Sequence, residues 1–234
     1  MKDTFGKALL DHLDGKATGN LITETSISEA DEVPLDYFFR DYQQMPDIER
    51  KALELSRGRV LDVGCGSGSH SLWLQDNGLE VTAIDVSAGA VETARQRGVS
   101  DVRQIPVLQL KDEQFDTILL LMNGTGIFET VERVSNYLGH LAGLLSPNGQ
   151  ILVDSSDLQY MYDRDPSGGI WIPADRYYGE VDYWVSYNGE TDEPFPMLYL
   201  DEGLLSALAE EAGFSMRIVV RGAHYDYLAQ LKLR

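Results

Sequence analysis

The sequence predicts an α/β protein with a doubly wound, mostly parallel sheet that carries helices on both faces. The first observation is that strand-like and helix-like segments alternate between residues 59 and 156, which is the pattern of βαβ units. The second is that the strand-like segments are almost continuously apolar, as expected for strands buried on both faces. In such sheets, ligands bind at the carboxyl ends of the strands.

Each element has a local signal. Residues 34–58 have helical spacing, with Gly58 as a stop signal. The predicted elements that follow are the strand 59–64, a helix to Gly78, the strand 79–87, a helix to Gly98, a weaker strand 102–110 that Pro106 interrupts, the strand 115–123, a helix 129–149 that ends in a Pro-Asn-Gly turn, and the strand 150–157. Beyond these, the pattern predicts an edge hairpin at 176–190, a helix at 200–214 and two closing antiparallel strands at 215–223 and 225–234.

Composition limits the function. Lys plus Arg number 19 and Asp plus Glu 38, so the formal net charge is −19. Such a chain repels phosphate backbones and anionic lipid, which argues against nucleic acid or a membrane as partner. An uncharged or cationic small molecule suits this charge, although a simple solubility role also explains it. The single cysteine, Cys65, and the lack of a signal-like or membrane-spanning segment lead us to expect a cytoplasmic protein.

A glycine-rich turn follows the first strand of the alternating region. Gly64, Gly66 and Gly68 are spaced G-x-G-x-G, and glycines in such a turn let a ligand approach the backbone closely. The dinucleotide fingerprint G-x-G-x-x-G requires a third glycine where Ser69 stands. The next strand ends in Asp85, an acid placed to accept hydrogen bonds from the ribose hydroxyls of an adenosine.

Four segments, "VLDVGCGSGSHSLWL", "VTAIDVS", "FDTILLLMN" and "LLSPNGQILVDSSD", resemble the class I S-adenosylmethionine-dependent methyltransferases. The resemblance covers about residues 58–156, and the closing helix and strands extend it to residue 234. It implies a Rossmann-like, doubly wound and mostly parallel seven-stranded sheet, with one antiparallel strand near the edge. We therefore expect a methyltransferase domain at 58–234 with an aromatic-rich insertion (157–200) after strand five. Residues 1–57 would be an N-terminal helical segment and a candidate lid over the cofactor.

The resemblance also implies a cofactor, S-adenosylmethionine, with S-adenosylhomocysteine as product. Asp62 would hold the methionyl amino group, the glycine loop would pass beneath the sulfonium, Asp85 would bind the ribose, and Val86 would contact the adenine. The carbonyl of Asn123 would lie near the methionyl end. The expected cofactor-binding residues are Asp62, Gly64, Cys65, Gly66, Gly68, His70, Asp85, Val86, Ser87 and Asn123. We expect no metal site.

The resemblance does not identify a catalytic residue. Asp154 or Asp157, at the end of the fifth strand, is a candidate proton acceptor, and helix capping is the alternative role for each. Many relatives place an acid after the third strand, near the adenine amino group. This sequence has Ile105, Pro106 and Val107 there, so apolar walls and a backbone group would hold the adenine instead.

Aromatic residues concentrate in two segments that are candidates to cover the site. Ten of them lie between residues 157 and 200, interspersed with acids. This composition suits a cationic amine or a planar apolar compound, and an ordinary edge hairpin is the alternative. The second segment, 35–46, would place Tyr37, Phe38 and Tyr42 over the cofactor.

These inferences predict a methyltransferase that acts on a small molecule, at nitrogen or oxygen rather than carbon. Two alternatives from other classes remain: a non-catalytic S-adenosylmethionine-binding module, whose glycine loop would look the same, and an NAD-dependent oxidoreductase, which the Ser69 position disfavours. The sequence indicates neither the acceptor nor the oligomeric state.

Overall fold

The computed structural model describes residues 2–165 and 169–234, in which six α-helices and twelve strands form. The helices are α1 (Thr4–Leu13), α2 (Asp47–Leu55), α3 (Ser69–Asp76), α4 (Ala88–Arg97), α5 (Val131–Gly143) and α6 (Glu202–Glu211). The strands are β1 (Leu21–Thr25), β2 (Ser28–Val33), β3 (Arg59–Val63), β4 (Glu80–Asp85), β5 (Val102–Gln104), β6 (Phe115–Leu120), β7 (Leu145–Ser156), β8 (Glu180–Tyr187), β9 (Glu190–Thr191), β10 (Phe195–Leu198), β11 (Phe214–Arg221) and β12 (Asp226–Leu233).

The central sheet confirms the predicted fold class. Its seven strands lie in the order β11-β12-β7-β6-β3-β4-β5. Strands β3 to β7 pair in parallel, whereas β12 pairs antiparallel with both β7 and β11. The antiparallel strand is therefore one position from the edge. Because β3 and β6 are neighbours at the centre, the loops after them meet at one carboxyl edge of the sheet.

The predicted third strand of the alternating region is shorter than expected. Strand β5 ends at Gln104, and Pro106 begins a short 3₁₀ turn at Val107–Gln109. Proline lacks the N–H that a ladder needs, so pairing stops before it.

The expectation of a helical segment at residues 1–57 is only partly correct. Helices α1 and α2 are present, but β1 and β2 form an antiparallel hairpin between them. The helix predicted over 34–58 is confined to Asp47–Leu55, and short 3₁₀ turns occupy Leu35–Phe39 and Tyr42–Gln44. Prolines 34 and 46 precede these elements in extended conformation, which restricts where a helix can begin.

A second, antiparallel sheet is built from two distant parts of the chain. Strands β10, β8, β1 and β2 lie side by side, and β9 also pairs with β8. The predicted hairpin at 176–190 is present as β8 and β9, with Asn188 and Gly189 at positive φ in its turn. The pairing of β8 with β1 was not predicted. We call these five strands the roof sheet.

The roof sheet rests on the central domain at both ends. At one end, Met197 lies against Gly126 in the loop after β6, and Leu198 accepts a hydrogen bond from Thr125 Oγ1 at 2.9 Å. At the other end, a buried cluster joins the sheet to α1 and to the 3₁₀ turn that follows the hairpin; its members are Ala8, Leu21, Leu35, Val185 and Tyr187. The middle of the roof sheet therefore lies above the carboxyl ends of the central strands.

Candidate active site

The three loop glycines serve two purposes. All have positive φ, at 76° for Gly64, 53° for Gly66 and 84° for Gly68. A Cβ on Gly68 would lie 2.8 Å from Val99 Cγ2, so this glycine lets the loop pack on the residue that follows α4. A Cβ on Gly64 or Gly66 would meet nothing closer than 3.4 Å and 3.9 Å, respectively. One further atom would therefore fit against the backbone at each of these positions, in van der Waals contact with Ile127 at Gly64 and with Phe5 at Gly66.

Asp85 is joined directly to the glycine loop. Its carboxylate accepts hydrogen bonds from the N–H of Gly66 and of Ser87, both at 2.9 Å. Burial raises the pKa of Asp85, and the backbone N–H groups oppose that rise. Next to it, the Val86 side chain is 66% exposed, which is unusual for an apolar residue at a strand end. Ser87 caps α4 by accepting the N–H of Ala90 at 2.9 Å.

Helix α1 covers this corner of the site. The Asp3 carboxylate accepts hydrogen bonds from Ser87 Oγ and, at 2.8 Å, from the N–H of Gly89. The backbones of Gly6 and Gly89 touch so closely that a Cβ on Gly89 would lie 2.4 Å from the Gly6 carbonyl carbon. These contacts place Phe5 above the glycine loop, with Phe5 Cζ 3.9 Å from where a Gly66 Cβ would be.

The segment 35–46 covers the loop from a second side. The carbonyl of Phe38 accepts hydrogen bonds from Ser67 Oγ and, at 3.0 Å, from Ser69 Oγ. The rings of Phe38 and Phe5 meet edge to face at 5.2 Å between centroids. Tyr42 does not share this position, because it stacks on Trp73 at 4.7 Å, beside α2 and α3. Of the three aromatics expected over the cofactor, the structure thus brings Phe38 to the loop and places Tyr42 elsewhere.

A buried charged network lies beneath the loop. His70 Nε2 is 2.8 Å from Glu49 Oε2, and Arg40 Nη2 donates to Glu49 Oε1 at 2.6 Å. The Arg40 guanidinium also stacks on Tyr37, 3.6 Å from the ring centroid. Arg40 and Glu49 were not predicted, because they stand on an irregular segment and a short helix with no sequence motif. His70 is itself buried and held by Glu49.

The same network sets the protonation of its members. Burial raises the pKa of Asp62, while His70 and the hydrogen bond from Ser71 Oγ at 2.6 Å oppose the rise. Burial lowers the pKa of His70, but Glu49 and Asp62 more than reverse that effect, so the net shift is upward. The imidazole is therefore favoured in its charged form, enclosed by carboxylates. Burial also raises the pKa of the Cys65 thiol, which makes it a poor nucleophile.

The structure gives Asp154 a role in shaping the loop after β6. Its carboxylate accepts the N–H groups of Met122 at 3.1 Å and Gly124 at 2.7 Å. It thereby holds Met122 and Asn123, both at φ 63°, in a conformation that non-glycine residues rarely adopt. Burial raises the pKa of Asp154 to about 6.

The remaining residues at these strand ends are also engaged. The Asn123 carbonyl accepts the N–H of Gly126 at 2.9 Å. Asp157 accepts the N–H of Gln159 at 2.9 Å and the hydroxyl of Tyr178 at 2.7 Å. These contacts favour the capping interpretation of Asp157 over that of a free proton acceptor.

Two absences hold for residues 2–165 and 169–234. No helix in this part of the chain is both long and apolar enough to cross a bilayer. Within the same residues, His, Cys, Asp and Glu side chains form no group of three or more suited to a metal ion.

Comparisons with known proteins agree with this geometry. A methyltransferase-domain family model matches residues 61–153. A crystal structure of a Bacteroides fragilis S-adenosylmethionine-dependent methyltransferase in complex with S-adenosylhomocysteine is 42% identical, with a TM-score of 0.92; the alignment covers 99% of this chain and 95% of that one. The chain belongs to the class I S-adenosylmethionine-dependent methyltransferases, a family of enzymes whose cofactor is S-adenosylmethionine.

Two curated relatives are similar over a shorter region. A ubiquinone biosynthesis O-methyltransferase of Rickettsia felis is 32% identical over 108 residues, which are 44% of this chain and 43% of that protein. A malonyl-[acyl-carrier protein] O-methyltransferase of Enterobacter lignolyticus is 36% identical over 88 residues, 33% of this chain and 35% of that protein. The match thus spans less than half the length of these curated relatives.

Proposed function

We propose that this protein transfers a methyl group from S-adenosylmethionine to a small-molecule acceptor, at nitrogen or oxygen. The observation that carries the proposal is the bare backbone of Gly64 and Gly66, each with room for one further atom, next to the Asp85 carboxylate and the exposed Val86. A polar acid beside a bare backbone and an apolar surface matches the ribose, methionyl and adenine parts of the cofactor.

We assign the site residues to parts of the cofactor on this basis. Asp85 has lone pairs left for ribose hydroxyls after accepting two backbone N–H groups. Val86 and Ile105 would flank the adenine. The methionyl end would lie over Gly64 near Asp62, Met122 and Asn123. The bound cofactor supplies an electrophilic methyl group, and the protein's contribution is to orient the acceptor and exclude water.

Helix α1 and the segment 35–46 act as a lid over the cofactor in this proposal. Both are joined to the loop or to α4 by hydrogen bonds, and both contribute an aromatic ring above it. The domain thus comprises residues 58–234 with the insertion 157–200, and residues 1–57 complete its cover. The net charge of −19 disfavours nucleic acid as a partner. A chain with a single cysteine suits a reducing compartment, and a cytoplasmic location remains our prediction.

Calorimetric titration with S-adenosylmethionine and S-adenosylhomocysteine tests the cofactor assignment. We expect micromolar dissociation constants for both ligands. The Asp85→Ala variant should lose roughly 1.5–3 kcal/mol of binding free energy, the range for hydrogen bonds to a charged group. An unchanged affinity in a folded variant would refute the ribose assignment. A non-catalytic binding module would bind both ligands, but it would not convert S-adenosylmethionine to S-adenosylhomocysteine with any acceptor. An NAD-dependent oxidoreductase would instead bind NADH saturably.

A further inference from the structure

Arg97, in the last turn of α4, makes three hydrogen bonds to the glycine loop and its continuation. Its Nη1 donates to the carbonyl oxygen of Ser67 at 2.8 Å, to Ser67 Oγ at 2.8 Å and to Ser69 Oγ at 3.0 Å. The side chain is half-buried, and burial lowers the pKa of its guanidinium, which is the opposite of what an ion pair with a carboxylate would do. The guanidinium is thus committed to neutral oxygens of the loop.

The two serine hydroxyls extend this contact to the segment 35–46. Both donate to the carbonyl oxygen of Phe38, Ser69 Oγ at 3.0 Å. A hydroxyl has one O–H donor and two acceptor lone pairs. Because Arg97 donates to each hydroxyl oxygen, it occupies an acceptor position there and directs the single O–H toward Phe38. The guanidinium therefore orients both hydrogen bonds that join the segment to the loop.

Phe39, the next residue of the segment, is also held by Arg97. The guanidinium carbon lies over the Phe39 ring, 4.9 Å from the centroid, where the negative face of the ring attracts a cation. The imidazole of His12, on α1, contacts the same ring in a tilted arrangement with 4.5 Å between centroids. Arg97 therefore touches the segment 35–46 directly, and through Phe39 it is connected to α1.

Helix α4 gives Arg97 a fixed base. A Cβ on Gly68 would lie 2.8 Å from Val99 Cγ2, beyond the end of α4, and 3.0 Å from Ala94 Cβ within it. The loop is thus packed against the helix independently of Arg97. Loss of the Arg97 contacts would therefore loosen the segment 35–46, while packing would still hold the loop.

We propose that Arg97 is a positioning residue that fastens the segment 35–46 over the glycine loop and thereby sets how long the cofactor stays bound. This inference rests on the proposed function, in which that segment covers the cofactor. Release requires the segment to lift, which breaks the two hydrogen bonds to Phe38 and the contact between Arg97 and Phe39. Weakening these contacts speeds release but leaves association nearly unchanged, because the cofactor enters while the cover is open.

Two arginines on α4 provide a variant and its matched control. Arg97→Met keeps an apolar stem but removes every donor, and we expect it to raise the dissociation rate of S-adenosylhomocysteine about tenfold or more in stopped-flow displacement by excess S-adenosylmethionine. Arg97→Lys keeps the charge but lacks the planar fork, so its rate should lie between those of Arg97→Met and the wild type. Arg95→Met is the control and should match the wild type, because Arg95 pairs only with the nearby Glu92, at 2.6 Å on the exposed face of the helix.

Amide hydrogen exchange supplies a readout that a merely structural role would not move. In protein saturated with S-adenosylhomocysteine, the amides of residues 35–46 should exchange about tenfold faster in Arg97→Met than in Arg95→Met, while those of β3 and β6 stay unchanged. The double variant Ser67→Ala/Ser69→Ala removes the hydrogen bonds to Phe38 from the loop side. It should therefore also release S-adenosylhomocysteine faster than the wild type.

The outcomes separate this inference from the proposed function. If S-adenosylhomocysteine binds but leaves Arg97→Met and Arg95→Met at the same rate, the inference fails and the proposed function stands. Faster exchange throughout the central sheet of Arg97→Met would also refute it, because Arg97 would then support general stability. If Arg97→Met does not fold, the serine double variant decides, and an unchanged release rate there refutes the inference. If S-adenosylhomocysteine does not bind to the folded wild type, the proposed function itself fails.

Discussion

Gly66 and Gly78 share a backbone conformation but differ in their surroundings. Both have positive φ, at 53° and 83°, and neither has a close neighbour at its Cβ position. Gly66 borders the proposed cofactor space beneath Phe5, whereas Gly78 follows α3 on the surface. Replacing either residue costs about 1–2 kcal/mol of backbone strain, so the pair separates folding effects from ligand effects.

We therefore expect Gly66→Val to abolish S-adenosylhomocysteine binding, because the side chain would occupy the cofactor space. Gly78→Val should bind normally while losing a similar amount of stability, about 1–2 kcal/mol by denaturant unfolding. Calorimetry on the two variants gives the comparison. Retained binding in Gly66→Val would show that the loop faces something other than the cofactor.

His70 carries a second prediction at the residue scale, which concerns pH. Its pKa is raised in the folded protein by Glu49, Asp62 and Asp154. A base with a raised folded pKa stabilises the fold fully below its unfolded pKa of about 6.5 and loses that contribution as pH rises through the folded value. The free energy of unfolding of the wild type, minus that of His70→Gln, should thus be larger at about pH 6 than at about pH 8.5. Equal differences at both pH values would contradict the charged imidazole.

At the scale of single residues, the sequence predicted the site residues that lie close together in the chain. The glycines, Asp85 and the Ser87 cap lie within 24 consecutive positions, and local chain geometry fixes their contacts. Arg40 and Glu49 have no such signal, since only the tertiary fold brings them to His70. The hydrogen bonds of Asp154 could not be predicted from the sequence either, because an acid at a strand end can face either solvent or the N–H groups of a neighbouring loop.

At the scale of elements, α1 links two parts of the molecule. Its first turn is tied to α4 through Asp3, and the N–H of Thr4 donates to Asp192 beside β9 at 3.1 Å. The helix therefore contacts both the adenosine corner and the roof sheet. If it is a lid, loosening it should change how fast the cofactor leaves more than it changes the central fold.

We expect Asp3→Ala to raise the dissociation rate of S-adenosylhomocysteine about tenfold, in line with the loss of hydrogen bonds to a charged group. Stopped-flow displacement would measure the rate. Asp14→Ala, at the other end of the same helix, removes only a contact with the exposed Lys16 at 2.6 Å and should have little effect. Equal rates in the wild type and Asp3→Ala would argue against a lid role for α1.

The elements that sequence analysis missed are those stabilised by distant partners. The apolar strands β3, β4, β6 and β7 were predicted because each is buried on both faces. Strand β1 is short and mixed in polarity, and it forms because β8 and β2 satisfy its backbone groups on both sides. Helical spacing over 34–46 was overridden by two prolines and by the contacts of Phe38 with the glycine loop.

At the scale of the whole molecule, the net charge of −19 acts on any charged acceptor that approaches the site. Since salt screens such fields, we expect the dissociation constant of a positively charged acceptor to rise several-fold when NaCl is increased from about 20 mM to about 500 mM. S-adenosylhomocysteine, whose amino and carboxylate charges cancel, is the internal control and should change much less. If the two ligands respond alike, the overall charge does not attract the acceptor.

The roof sheet also has a consequence for how the chain folds during synthesis. Ser26, in the turn of the β1–β2 hairpin, accepts a hydrogen bond from the N–H of Asp182, 156 residues later. The N-terminal hairpin emerges from the ribosome long before β8 exists, and a lone two-stranded hairpin is only marginally stable in water. Closing so long a loop is entropically costly and slow. The central sheet can therefore assemble first, and the enclosed site becomes complete only once the middle of the insertion returns to meet the beginning of the chain.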